Sequence, residues 1–352
     1  MSERSASPIS PWPHRLAVAL ALVTFPLIWV GGLVTTYDAG MAVPDWPGTY
    51  GYNLFLYPWQ TWLAGPWDLF IEHGHRLLGA AAGLIAIVLF VVTVLTNCRR
   101  HVQALAAGAL LLVIFQGALG GARVLFDERL VALVHGCVGP LFFAYLAGLI
   151  VITSRRWATT APASLAPDRA KPLLMAVWIT VVLAFIQLAL GAVVRHVPLS
   201  ASPGVFRAAL VLHLALAGAL ALQVFVASWK AWSNRHSVSG LALPALGLPL
   251  LLTVQLALGV ATYVVKYSWP AWFADFPFAA GYVVEEKSLL QSLTITAHVA
   301  NGSLILFVAA LLATRVTRCI ALGTQCLTPT AQAASPASPL HSRVAATLPA
   351  SA

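Results

Sequence analysis

Residues 73–96 read HGHRLLGAAAGLIAIVLFVVTVLT. After Arg76 no charged side chain occurs up to Thr96. A helix rises about 1.5 Å per residue, so about 20 apolar residues cross a hydrocarbon core of roughly 30 Å. Seven other runs satisfy the same rule, at 16–36, 103–123, 130–153, 172–194, 206–229, 242–266 and 289–313. Lipid offers the backbone no hydrogen-bond partner, and a helix satisfies its own. A membrane barrel would need short alternating segments, whereas these runs are long and continuous. The first run resembles a signal peptide, but it is long and no small-residue cleavage site follows it, so it is read as a helix. The predicted fold class is an all-α membrane protein of eight transmembrane helices.

Composition agrees. Of 352 residues, 60% are hydrophobic and 9% charged, with mean hydropathy +0.85. Soluble globular chains carry about 25% charged residues, so a soluble or disordered protein is excluded, as is a nucleic-acid partner. The net charge of +9 reflects few acids. Arg4, Arg15, Arg99, Arg100, Arg155, Arg156, Arg169, Lys171, Lys230, Arg235, Arg315, Arg318 and Arg343 flank one side of the spans, and nine of the eleven acids, all but Glu3 and Asp168, lie on the other. The positive side is expected to be cytoplasmic, with both termini there. Four cysteines are too few for a disulfide scaffold.

The odd spans share a phrase: Gln116-Gly-Ala-Leu-Gly120, Gln187-Leu-Ala-Leu-Gly191 and Gln255-Leu-Ala-Leu-Gly259, with the related Trp29-Val-Gly-Gly-Leu33 closing span 1. Small residues there let helices, or a flat cofactor, approach closely. The spacing repeats in the second half, which predicts two pseudo-twofold-related four-helix bundles: an N-terminal half at 1–156 and a C-terminal half at 157–325. The Ala-, Ser- and Pro-rich tail at 326–352 is expected to be disordered and cytoplasmic.

One histidine falls near the start of each even span: His75, His135, His213 and His298. Even spans run inward, so all four lie at similar depth near the outer face. His14, His101, His236 and His341 fall in inner loops or tails, and His196 in an outer loop. An intramembrane ionisable group is costly and marks function by default. Two imidazoles on facing helices could clamp one iron from both faces of a porphyrin. The pairs would be His75 with His135 and His213 with His298. Zinc is disfavoured because no outer cysteine or carboxylate cluster completes a tetrahedral set, and copper because only Met41 lies near this face. Arg76, Arg123, Arg195 and Arg207 sit at outer span ends, where basic residues are normally scarce, and a guanidinium fork matches a heme propionate.

The halves differ at one acid. Glu72 precedes His75 by three residues and so shares its helix face, while the stretch before His213 is apolar. A carboxylate beside one porphyrin could move a proton or stabilise positive charge on a carbon being oxidised. The alternative is an acid favoured by a helix N-terminus. The asymmetry argues for a reactive heme in the first half and a permanent, electron-supplying one in the second.

In order and spacing, Gly31-Gly32-Leu33-Val34-Thr35, Pro44-Asp45-Trp46-Pro47, Glu72-x-x-His75-Arg76, the Gln-x-x-Leu-Gly repeats and the other three histidines resemble the heme A synthases of bacterial type. The resemblance covers about residues 16–313. It implies an oxidoreductase that converts the C8 methyl group of heme O to a formyl group by successive hydroxylations, giving heme A for cytochrome oxidase. It further implies a heme B held by His213 and His298, heme O as substrate facing His75 and His135, and an essential Glu72. A heme O synthase would supply substrate and cytochrome oxidase assembly would receive product, in the bacterial inner membrane. The electron donor is left open, as is a homo-oligomeric state. Many bacterial members carry two cysteines in the first outer loop, and residues 37–72 here contain none. The competing reading is a non-enzymatic diheme b-type cytochrome that passes electrons from quinol, with a heme transporter or chaperone as a third. The aromatic stretch Trp269, Trp272, Phe273, Phe276, Phe278 and Tyr282 reads as an interfacial belt rather than a lid.

Overall fold

The computed structural model describes residues 10–97, 99–159, 165–198 and 200–323. The expected tail at 326–352 lies outside the described residues, as do Cys98 and Cys326.

Eight helices are long and apolar enough to cross a membrane: α1 (Trp12–Thr36), α3 (Trp67–Thr96), α4 (Arg100–Phe126), α5 (Arg129–Thr153), α7 (Pro167–His196), α8 (Pro203–Ser233), α9 (Ala242–Tyr267) and α10 (Leu289–Gly323). Short α2 (Trp59–Leu63) and α6 (Arg155–Thr159) and a 3-10 turn (Ala271–Phe273) lie between them. No strand occurs among the described residues. The chain is an all-α, multi-pass membrane protein.

Local chemistry sets the ends. Pro167 and Pro203 open α7 and α8 at the position where a missing N–H costs nothing. Asp127 turns left-handed at φ 48° to close α4, and Ser268 at φ 71° closes α9. Pro26, Pro140, Pro172 and Pro249 lie inside helices, which membrane spans tolerate when neighbours re-satisfy the freed carbonyls.

The contacts join α1, α3, α4 and α5 into one closed ring and α7, α8, α9 and α10 into another. The rings meet where α10 touches α5 and α1, and where α5 touches α7. Phe143 of α5 and Phe307 of α10 stack across this seam at 4.3 Å. Each ring has its own core. Ala17, Leu20, Ala86, Leu89, Ala106 and Leu146 fill the first, and Leu173, Val224, Ala227, Leu248, Leu306 and Leu312 the second. Lipid tails are as apolar as Leu, so these helices gain from close packing at alanines rather than from water release. Leu95, Leu214, Phe225 and Leu243 stay exposed, as a lipid-facing surface allows. Both cores occupy the end where α1 and α4 begin and α3 and α5 finish. The histidines occupy the other end.

Candidate functional site

The four histidines stand in two facing pairs. The ring centroids of His75 (α3) and His135 (α5) are 6.3 Å apart, and those of His213 (α8) and His298 (α10) are 6.4 Å apart. Two imidazoles ligating one metal at about 2.0–2.1 Å, with each centroid about 1.1 Å behind its nitrogen, would stand about 6.3 Å apart. At that separation each pair could hold one heme iron between its two rings. Among the described residues no cluster of three or more His, Cys, Asp or Glu is suited to a metal, so the donors present come as pairs. Buried Nδ1 atoms of His75, His135 and His298 have no hydrogen-bond partner among the described residues. Such an orphan group costs about 1–3 kcal/mol when buried.

Each imidazole lies against a glycine of a neighbouring helix in its own ring. A Cβ on Gly31 would meet His75 Cε1 at 2.8 Å, one on Gly120 His135 at 3.3 Å, one on Gly191 His213 at 3.1 Å, and one on Gly259 His298 at 3.3 Å. These are the glycines of the repeated phrase, and their task is to seat a ring. The glutamines of the phrase also reach the histidines. Gln116 Nε2 donates to the His135 carbonyl at 2.9 Å, and Gln187 Nε2 to the His213 carbonyl at 3.0 Å while lying 3.2 and 3.3 Å from its two ring nitrogens. Gln255 Nε2 lies 3.5 Å from His298 Nε2, and Asn301 Nδ2 holds its Oε1 at 2.8 Å. The sequence reading credited the glycines and missed the amides, although both stand in the same phrase.

One cavity of about 520 Å³ reaches all four histidines. Glu72, Arg76, Arg123, Arg195, Trp46 and Gln187 also line it. Arg207 is exposed on α8 and is not among the lining residues. His196, expected in a loop, is instead the last residue of α7 and lines the cavity. The helix outlasts the apolar run by two residues, which hydropathy alone does not register.

Glu72 and Arg76 are bound into the first outer loop. Glu72 is 3% exposed; its Oε2 accepts from Val43 N at 2.9 Å, and its Oε1 pairs with Arg76 Nη2 at 2.7 Å. Arg76 also donates to the carbonyls of Val43 (2.7 Å), Asp45 (2.6 Å) and Gly48 (2.8 Å). Asp45 accepts from Tyr50 N and Gly51 N, and the Tyr50 hydroxyl donates to Ala42 O. His73 faces away from the cavity, paired with Thr49 Oγ1 at 2.9 Å and flanked by Tyr57 and Trp62. The loop thereby sets Trp46 against Gly121 at the cavity wall.

The two remaining lining arginines differ. Arg195 Nη2 crosses from α7 to α1, donating to Gly32 O at 3.0 Å and Thr36 Oγ1 at 2.5 Å. The Arg123 side chain packs against Gly40 and makes no hydrogen bond or ion pair among the described residues, with Glu72, Asp38 and Asp127 as the acids near it.

Fold and site define a membrane protein whose paired histidines share one chamber across two helical rings. Residues 66–202 match the COX15-CtaA family of cytochrome oxidase assembly proteins. The chain is also similar to heme A synthases: 29% identical over 181 residues to that of Symbiobacterium thermophilum, 30% over 141 residues to that of Listeria monocytogenes, and 26% over 190 residues to that of Shouchella clausii. These matches cover 50%, 39% and 52% of this chain and 56%, 43% and 58% of the relatives. The chain thus spans about half the length of the curated relatives it matches. The heme A synthase family, read from the motifs, is the one these comparisons support.

Proposed function

We propose that this protein is a heme A synthase, an oxidoreductase that converts the C8 methyl of heme O to a formyl group by two hydroxylations and loss of water. The observation that carries it is the pair of 6.3 and 6.4 Å histidine clamps on one chamber, with a buried carboxylate beside only the first.

In this reading His75 and His135 hold the substrate heme O, and His213 and His298 hold a resident heme B. The resident heme, when bound, supplies single electrons. Glu72, fixed by Val43 N–H and Arg76, presents a carboxylate within the same cavity as His75 and holds or moves a proton there. Arg123, with no protein partner, and Arg195 take propionates. Arg76 spends its donors on Glu72 and the loop, so it orients the acid and secures the wall. Arg207 serves at the outer rim. The two rings are pseudo-twofold-related halves, at 1–156 and 157–325. The protein lies in the bacterial inner membrane with cytoplasmic termini and heme sites near the outer face. A heme O synthase supplies substrate, and cytochrome oxidase assembly draws off product.

The test is a heme extract of purified protein from a host supplied with heme O, for wild type and Glu72→Ala. Wild type should yield formyl- or hydroxyl-bearing heme, and Glu72→Ala should keep its pigment without making heme A. Heme B alone at two per chain in wild type, or normal heme A from Glu72→Ala, overturns the reading.

A further inference from the structure

Arg195 touches the surroundings of both histidine pairs. It stands on α7 one turn beyond Gly191, the glycine that seats His213. Its Nη2 donates across the seam to Gly32 O at 3.0 Å and Thr36 Oγ1 at 2.5 Å, both on α1. Thr36 Oγ1 donates in turn to Gly32 O at 2.8 Å, which closes a triangle. Among the described residues α1 and α7 are not packed together, so a side chain spans the gap between them. Its acceptors belong to the wall of the first pair. Gly31 seats His75, and Gly32 beside it lies against α10, where a Cβ would meet Thr296 Cγ2 at 2.8 Å, two residues before His298. The link has no twin in the first ring. The residue four beyond Gly31 is Thr35, whose Oγ1 donates to Gly31 O within its own helix at 3.0 Å. Arg195 Nε and Nη1 keep no protein acceptor among the described residues, and the side chain lines the chamber with Arg123, whose charge bears on it.

A positive charge beside a heme favours the reduced, less positive iron, and apolar surroundings enlarge that influence. A carboxylate arriving at the first site competes for the same guanidinium. We propose that Arg195 is the positioning residue that couples the two sites: filling the first draws its charge away from the second and lowers the reduction potential there. The second site then gives up an electron more readily once substrate is in place. The inference rests on the proposed heme sites. The coupling shifts one guanidinium and transfers no electron or proton. Such couplings run to about 5–150-fold and are reciprocal, so the first site should also bind more tightly when the second heme is oxidised.

The test is a redox titration of the full-length protein holding its second heme, before and after addition of gallium(III)-substituted heme O, which fills the first site and does not titrate. In wild type the midpoint potential should fall by about 59 mV, the one-electron equivalent of a tenfold coupling. Arg195→Gln removes the charge and should leave a coupling below about twofold. Thr36→Val keeps the charge and loosens its hold on α1, so Arg195 settles on the second site and the coupling should drop to about threefold or less. Thr36→Val decides the matter should Arg195→Gln lose its heme or fail to fold. A wild-type midpoint that stays or rises overturns the proposal, as does a full wild-type fall in either variant. The proposed function is read separately, from the heme extracted after turnover. Heme O left unconverted sinks that reading, whereas the potential shift needs no turnover and stands.

Discussion

Arg76 and Glu72 stand one turn apart on α3 with Nη2 and Oε1 2.7 Å apart, and Arg76 also grips three carbonyls of the loop that closes over them. One guanidinium therefore sets both an acid and a wall. Removing one partner of a buried pair costs about 3–5 kcal/mol. Arg76→Ala should lower thermal stability on that scale and expose residues 43–58 to protease. Glu72→Gln keeps an acceptor for Val43 N–H and should leave the loop protected. Limited proteolysis in detergent distinguishes the two.

Gly31 is the tightest of the four ring seats. Overpacking costs about 1–3 kcal/mol, and here it falls on an imidazole proposed to hold heme. Gly31→Ala should displace His75 most, Gly191→Ala less, and Gly120→Ala and Gly259→Ala least, following contacts of 2.8, 3.1, 3.3 and 3.3 Å. Perturbation of the heme optical spectrum across the four variants should follow that order.

Arg123 and Arg195 should part company when each is changed to Gln. Arg195 is hydrogen-bonded to α1, so Arg195→Gln should destabilise even protein depleted of heme, by about 1–3 kcal/mol. Arg123 is bound to no protein group described here, so Arg123→Gln should leave depleted protein as stable as wild type and weaken heme retention. Melting curves with and without heme separate the cases.

The loop should resist acid. Burial alone would raise the Asp45 carboxyl, but hydrogen bonds from Gly51 and Tyr50 N–H and the nearby Arg76 charge outweigh it and hold the group below its ordinary 3.8. A carboxyl depressed on folding stabilises above its unfolded value and loses that contribution as pH falls through the folded one. The part of the loop's protection that Asp45 supplies, read as the difference in cleavage of residues 43–58 between wild type and Asp45→Asn, should hold from about pH 8 to 4 and fade only below the ordinary aspartate range. Asp45→Asn, which leaves one of the two N–H donors unmet, should raise cleavage at neutral pH.

All eight spans were legible in the sequence because lipid imposes one simple rule on length and polarity. Their ends were less so. Span 2 was expected from 73, but α3 begins at Trp67, behind Pro66. Span 8 was expected to finish at 313, but α10 continues to Gly323 past Arg315 and Arg318. Hydropathy falls at the membrane boundary, whereas helix propensity does not. The histidine pairing was legible because it repeats. The Arg76 grip on the loop was not, because its acceptors are backbone carbonyls that no residue type announces.

The seam between the rings bears on how such a molecule can change over generations. α10 borders α1 and α5 as well as its own neighbours, Phe307 stacks on Phe143, and Arg195 reaches into α1. Neither ring encloses the chamber without the other. Loss of either ring would leave the chamber without part of its wall, so a change in one is constrained by what the other must still enclose.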